Sequence, residues 1–459
     1  MLEKISICYV QKNLFFCYLF LIRFITTINK YFFVLLPITN EVSPMTLSSN
    51  QLFDTKLCVQ CRGRGFCKKP CRIYSKLNLN FKPKKHFSGA SPPEIFVGRY
   101  NYPNINAGIL SPEIHEATEE MSMPEIWHKE NFSIQEVLTR RSQLIYGRFQ
   151  TQIKQARTNQ PLKNKFLNLM QEISMAYKSV STEFFLKKIP KQNLEINKYS
   201  PIIANPAPLE HARLQENPKV KPKVDYLISD TDVKSVQSIK ELYKHKIPIS
   251  NIMKILSAGL LGLKTQRRLV PTRWSITATD DTISKELLKR IRYYPEISDI
   301  QLFNSEYNGN HYEILLLPDK FTFEVIEAEL KGGLWNQTQQ TQVWADYEFF
   351  SGRKKYAYDV TGAYYANRLA LTEYLEKIKR QGTAIFFREV RPEYYAPLGV
   401  GILRETTRDA FTKKPEKFQT IKQALEQAQT RLKLPISIFT NNSTILKEYG
   451  KQTRLNRWF

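Results

Sequence analysis

Four cysteines fall within fourteen residues, as Cys58-x2-Cys61-x5-Cys67-x3-Cys71. Four thiolates can surround one Zn2+ tetrahedrally, and a Cys-x2-Cys turn brings two sulfurs to one edge of the metal. Gly63 and Gly65 follow the first pair and allow the chain to reverse tightly there. A segment this short has no hydrophobic core, so zinc binding worth roughly 10–16 kcal/mol would be its main source of order. The second pair has three intervening residues instead of the usual two. An iron–sulfur cluster, which also takes four closely spaced cysteines, is therefore the second reading, and unligated thiols the third. His86 is a fallback ligand. The remaining cysteines, Cys8 and Cys17, do not complete a secreted disulfide framework, which points to a reducing, cytoplasmic setting.

The chain ends Gln452-Thr-Arg-Leu455-Asn-Arg-Trp458-Phe459, the Q-x-x-aliphatic-x-x-aromatic-aromatic spacing of peptides that bind the sliding clamp, PCNA. One short helical turn would place Leu455, Trp458 and Phe459 on one face, able to plug a single hydrophobic pocket. Gln452 would enter a separate polar pocket and set the register. Lys451, Arg454 and Arg457 could meet an acidic clamp surface. The alternatives are a chance match of the pattern and a terminal helix packed on the body.

The net charge is +25 and the pI near 9.6. Soluble proteins this basic usually meet a polyanion, because Lys and Arg release the counterions condensed on a phosphate backbone. The charge concentrates beside the cysteines. From Lys56 to Lys85 there are ten Lys or Arg residues and no acid, with Phe66, Tyr74 and Phe81 interleaved. Arg62, Arg64, Lys68, Lys69, Arg72, Lys84 and Lys85 are the candidate nucleic-acid contacts, suited to tracking a backbone with occasional base stacking. A solvated basic linker is the plainer alternative.

Candidate catalytic groups are fewer. Asp280, Asp281, Asp346 and Glu348 are acids at expected strand ends that could hold Mg2+ for phosphodiester cleavage, with Arg353 or Lys354 stabilising phosphate charge. Pairing of these acids with the many arginines is the favoured alternative. No phosphate-cradling glycine loop and no Ser/His/Asp arrangement is present, and no small-molecule substrate suggests itself. Arg267, Arg268 and Arg273 around Pro271 could form a phosphate-binding strip or brace the body.

The elements that must position these groups read as a mixed α+β body. Residues 13 to 37 are apolar, but Arg23 and Lys30 interrupt them before the roughly twenty apolar residues of a membrane helix. A start at Met45 is preferred over a signal anchor, and a membrane is not an expected partner. The expected divisions are an extension over 1–44, the knuckle and its basic flank over 45–83, the body over 84–445 and the tail over 446–459. Within the body, Gly/Pro-punctuated strands come first, such as Phe96 to Tyr100 and Gly108 to Pro112. A charged, more helical stretch is expected from Ser133 to Leu186, and an irregular connection over 187–225. Asp230 to Asp232 could cap a helix carrying Val233, Val236, Ile239 and Tyr243. Trp274 to Thr279 alternates apolar and polar residues, the period of a half-buried strand. Leu371, Tyr374, Leu375 and Ile378 predict a helix, with Glu373/Lys377 and Glu376/Arg380 able to pair. Thr383 to Phe387 and Val400 to Leu403 look like buried strands, and a last helix is expected over Thr420 to Arg431.

From about Leu57 to Phe459 the chain resembles the archaeal Nre family of DNA repair proteins. The resemblance is carried by Leu57-Cys58-Val-Gln-Cys61-Arg-Gly-Arg-Gly-Phe-Cys67, Ser91-Pro-Pro-Glu-Ile-Phe-Val-Gly98 with Tyr102-Pro103, and Arg267-Arg-Leu-Val-Pro-Thr-Arg-Trp-Ser-Ile-Thr277. Gly362-Ala-Tyr-Tyr-Ala366 and Pro397-Leu-Gly-Val400 complete it. It implies a role in DNA damage repair, a C4-type zinc finger on the four cysteines above and a clamp-binding peptide on Gln452 to Phe459, but no defined reaction. The expected function is therefore a clamp-recruited DNA repair protein that binds DNA through the basic knuckle. A Mg2+-dependent structure-selective nuclease and an RNA-binding zinc-knuckle protein are the rivals.

Overall fold

The computed structural model describes residues 84–157, 165–190, 194–195 (backbone), 200–333, 336 and 340–451. They form the mixed α+β body that the sequence predicts, and it is built on two six-stranded sheets. The first contains β1 (His86–Ser91), β2 (Ile95–Val97), β3 (Asn104–Ser111), β4 (Ile145–Gln152), β5 (Val180–Leu186) and β8 (Pro206–Leu214), in the order β1-β5-β8-β4-β3-β2. A two-residue ladder, β6 (Leu194–Glu195) with β7 (Ile203–Ala204), lies apart from it. The second sheet contains β9 (Ile300–Tyr307), β10 (Asn310–Leu317), β11 (Thr322–Glu329), β12 (Gln342–Glu348), β13 (Thr383–Val390) and β14 (Glu416–Phe418), in the order β12-β11-β13-β10-β9-β14. Each sheet has one parallel pair, β4 with β8 and β11 with β13.

Twelve α-helices are described: α1 (Pro124–Lys129), α2 (Ile134–Ser142), α3 (Lys165–Met175), α4 (Pro222–Ser229), α5 (Ser235–Lys244), α6 (Ile249–Ser257), α7 (Thr272–Ile291), α8 (Gly362–Ile378), α9 (Val400–Ala410), α10 (Ile421–Gln429), α11 (Ile436–Thr440) and α12 (Thr444–Glu448). None is long and apolar enough to cross a membrane. The second sheet is buried on both faces, which explains why its strands lack polar alternation. Ala384 and Phe386 of β13 join Phe303, Ile314 and Phe323 against α8 and α9. Ile385 and Phe387 point the other way, onto Ala424, Ala428, Phe439 and Ile445 of α10 to α12. Because side chains alternate across a strand, one continuous apolar run serves two cores.

Local signals account for several elements. Asn308-Gly309 joins β9 to β10 as a two-residue turn with both φ angles positive, 51° and 76°, the conformation that matches strand twist. Ser133 caps α2 and Thr420 caps α10, each in a reciprocal box with the residue three positions on. α8 and β13 form where expected.

Five expectations are corrected. Trp274 to Thr279 is the first part of α7, not a strand. Its buried residues Ser275, Ile276, Thr279, Asp280, Ile283 and Leu287 recur at helical spacing, but half are polar, so the apolar period of the helix is hidden. Val400 to Leu403 likewise opens α9, after Gly399 at φ 87°. The stretch 187–225 supplies β8, an interior strand. Its prolines sit at the start, where a carbonyl suffices: Lys187 N donates to Pro208 O (2.9 Å). The Ser133–Leu186 stretch divides into two helices and two strands, α2, β4, α3 and β5. On α5 the N-cap is Lys234, not an aspartate, and Val236 is exposed while Ile239 is buried.

Candidate nucleic-acid interface

The N-terminal turns of α7 present Arg273, Trp274, Thr277, Ala278 and Asp281 along one side, a spacing of one, four, five and eight residues. They form one wall of an open cleft of about 610 Å3, a volume within the range of ligand-binding clefts. Tyr356, Tyr358 and Thr361 of the segment between β12 and α8 form the facing wall with Tyr365 of α8, and Arg99 enters from the β2–β3 connection. The start of α7 is tied to the first sheet, where Val97 N donates to the Thr272 hydroxyl (2.9 Å).

The lining is aromatic and cationic. Trp274 is 46% exposed and Tyr358 74% exposed, so both present ring surface to solvent at the cleft. Tyr102 packs beside Trp274 with ring centres 5.5 Å apart. Tyr356 stacks on Tyr365 (5.3 Å) and meets Tyr358 edge-on (5.2 Å). The Tyr365 hydroxyl is pushed up to about 12 by burial, so it stays protonated at neutral pH while it accepts from Ala357 N (3.0 Å).

Two arginines shape this cleft, Arg353 half-buried and Arg368 buried. Arg353 gathers the Tyr-bearing segment by donating to the carbonyls of Lys355 (2.9 Å), Tyr347 (3.0 Å) and Tyr356 (3.0 Å), and it pairs with Asp346 (2.5 Å). Asp346 also accepts from the amides of Asp359 (3.0 Å) and Val360 (2.8 Å). Burial raises the Asp346 carboxyl, and the Val360 amide and Arg353 oppose that rise. These contacts hold Thr361 at φ 62°, a backbone state costing on the order of 1–3 kcal/mol for a β-branched residue. Arg368 lies under the cleft floor. It is almost fully buried, donates to both Glu348 oxygens (3.1 Å each) and to Asp281, and reaches the Ser284 hydroxyl (3.1 Å). Burial alone would lower the guanidinium, but Glu348 and Asp281 more than offset it and hold it above its ordinary value.

The four acids expected as metal ligands are thus each engaged by arginine. Asp280 is in the middle of α7, not at a strand end, and binds Arg404 through both oxygens (2.8 and 3.0 Å). Burial pushes its carboxyl up to about 6, against the pull of Arg404. Asp281 takes Arg368 and Lys285, Asp346 takes Arg353, and Glu348 takes Arg368. Among the described residues, no group of three or more His, Cys, Asp or Glu side chains is arranged to hold a metal ion. In place of the expected Lys377 and Arg380, Glu373 takes a tertiary partner, Arg408 (2.7 Å), and Glu376 pairs with its i+3 neighbour Lys379 (2.6 Å) and with Arg290 of α7 (3.2 Å).

The expected arginine strip divides. Arg267 turns inward and donates to the carbonyls of Gly262, Ile228 and Asp230 (2.9, 2.8 and 2.8 Å), Arg268 is exposed, and Arg273 lines the cleft. Lys84 and Lys85 lie exposed before β1, with Lys84 paired to Glu113. His86 contacts Glu183 (2.8 Å) and stacks on Phe185. Cys58, Cys61, Cys67, Cys71, Arg62, Arg64, Lys68, Lys69, Arg72 and the peptide Gln452, Leu455, Trp458 and Phe459 lie outside the described residues. Sequence reasoning missed the aromatic wall of Trp274, Tyr356, Tyr358 and Tyr365. Its signal was the tyrosine density of 356–365 beside Arg353, but no local period relates that segment to Trp274. The Ser91–Gly98, Arg267–Thr277 and Gly362–Ala366 segments, remote in sequence, meet here: they contribute or adjoin Arg99, Arg273, Trp274, Thr277, Thr361 and Tyr365.

The same segments fall within matches to known proteins. Residues 66–336 match the model of the archaeal Nre N-terminal region and residues 348–458 that of the archaeal Nre C-terminal region. The chain is 33% identical to the DNA repair protein NreB of Archaeoglobus fulgidus over 399 residues, 87% of this chain and 98% of that protein. It is 33% identical to the DNA repair protein NreA of the same organism over 82% of this chain and 93% of that one. The DNA repair protein NreA of Haloferax volcanii is also 33% identical, over 78% and 86%. No solved structure matches the chain. With both family regions matched in order and relatives aligned over nearly their whole length, the chain belongs to the archaeal Nre family.

Proposed function

We propose that this protein acts in cytoplasmic DNA repair, holding DNA with its body and basic knuckle while its last eight residues tether it to the PCNA sliding clamp. The observation that carries the reading is the open cleft where Arg99 and Arg273 stand beside Trp274 and Tyr358. Cations with exposed aromatic faces suit a nucleic-acid strand, and the relatives are named DNA repair proteins. Tethering raises the local concentration near DNA without tight binding by the body itself. Cys58, Cys61, Cys67 and Cys71 would hold one structural Zn2+, a donor set that fits tetrahedral coordination. The neighbouring Arg62, Arg64, Lys68, Lys69 and Arg72, with Lys84 and Lys85, would contact phosphates.

Calorimetric titration of the cognate clamp tests the tether. The intact chain should bind, and a chain lacking Gln452 to Phe459 should not. Trp458→Ala with Phe459→Ala should cost at least about 100-fold in affinity, because aromatic anchors of such peptides carry about 2 kcal/mol or more each. Unchanged affinity in the truncated chain would remove the tail from the reading.

A further inference from the structure

We infer that the cleft between α7 and the Tyr356–Thr361 segment receives one unstacked nucleotide of a single DNA strand, its base against Trp274 and Tyr358 and its phosphates beside Arg99 and Arg273. The inference rests on the proposed DNA role and assigns a site and a substrate class to it. Three observations carry it. The first is shape: about 610 Å3 of open concave space accommodates a nucleotide unit of one strand, whereas a duplex, whose major groove alone is about 12 Å wide, is too broad to enter it. The second is the lining. Trp274 and Tyr358 are exposed ring systems at the rim, and Tyr102 and Tyr356 pack behind them at 5.5 and 5.2 Å between ring centres. A base inside a duplex hides its faces, so such rings gain contact only when the base is unstacked. The third is charge. Asp281 on the α7 wall is engaged by Arg368 and Lys285, so the carboxylate is compensated, while Arg99 and Arg273 add positive charge to the lining. The cleft walls are also braced in advance: Arg353 and Asp346 hold the tyrosine segment, so binding need not order it.

The base would be recognised by its face and not by a hydrogen-bonding code, so binding should tolerate different bases. The Thr277 and Thr361 side chains at the cleft wall could add a polar contact without specifying one base.

Fluorescence anisotropy with a labelled dodecamer of dT, the matching blunt duplex and an oligo-U strand tests this on the full chain. Trp274→Ala and Tyr358→Ala should each weaken dT binding about tenfold, the loss expected for one stacked base. Trp274→Phe should stay within about threefold of the unaltered chain, since a stacking face remains. Arg99→Ala with Arg273→Ala should weaken dT binding and flatten its salt dependence by about two ions. The duplex should be affected little by Trp274→Ala. Because Trp274 and Tyr358 project from the surface, unchanged thermal melting of each variant confirms that the fold is kept. Full dT affinity in both alanine variants overturns the cleft assignment and leaves the DNA role standing. Absence of binding to any DNA by the unaltered chain overturns the DNA role itself. Preference for oligo-U, lost on Trp274→Ala, overturns the assignment to DNA.

Discussion

Arg368→Met should destabilise the protein by about 3–5 kcal/mol, the usual cost of removing one partner from a buried ion pair. Glu348 would be left with 2% of its side chain exposed and without its two guanidinium hydrogen bonds. Asp281 suffers less, because it is a quarter exposed and keeps Lys285 at 2.7 Å. The loss should appear as a lower denaturant midpoint at an unchanged slope. The cause can be isolated with a second substitution. Glu348→Leu in the Arg368→Met background removes the stranded charge, and at least half of the lost stability should return. If the double variant is no more stable than the single one, the cost lies in packing around Tyr364 and Tyr365, whose rings lie within 5.6 Å of the guanidinium. The cleft should be disturbed as well, since Arg368 ties the middle of α7 at Asp281 to α8 and to Glu348 of β12.

Removing the proposed zinc should have a larger but more local effect. The purified chain should contain about one zinc, and Cys58→Ser or Cys67→Ser should abolish it, because three thiolates lose most of the binding energy of four. That energy, roughly 10–16 kcal/mol, would be the folding energy of the knuckle. Chelation should therefore open the segment around Cys58 to Cys71 to protease while the two-sheet body, whose described core residues include no cysteine, keeps its melting transition. Nucleic-acid affinity should fall with the zinc if the basic residues Arg62 to Arg72 are presented by the folded knuckle. A brown protein containing iron would replace zinc with a cluster, and a metal-free protein with intact DNA binding would remove the knuckle from the reading.

Thr383 to Phe387 had to be a buried strand, because β-branched and aromatic residues without polar alternation suit a sheet covered on both faces. The helix through Leu371, Tyr374 and Leu375 and the capped helix after Thr420 carry their signals locally, within one or two turns. Trp274 to Thr279 misled for an equally local reason. Polar Ser275, Thr279 and Asp280 occupy the buried face of α7 because α8 and Arg404 supply close packing and charge there. A period counted in apolar residues cannot register a buried side made of serine, threonine and aspartate.

The proposed terminal chemistry is contiguous in the chain: the four cysteines and the final eight residues each fall within fourteen residues, and the basic run spans Lys56 to Lys85. Local spacing is enough where one metal or one peptide pocket is the partner. The cleft is different. Arg99, Trp274 and Tyr358 come from three separate parts of the chain, and only the packing of α7 against α8 and the bracing by Arg353 and Asp346 bring them to one opening. The partners of the acids were likewise decided by tertiary structure. A carboxylate in sequence offers equal promise as a metal ligand or as an arginine's counterion. Burial settles the matter here, because a charge removed from water demands a near partner, and Arg353, Arg368 and Arg404 were folded into reach.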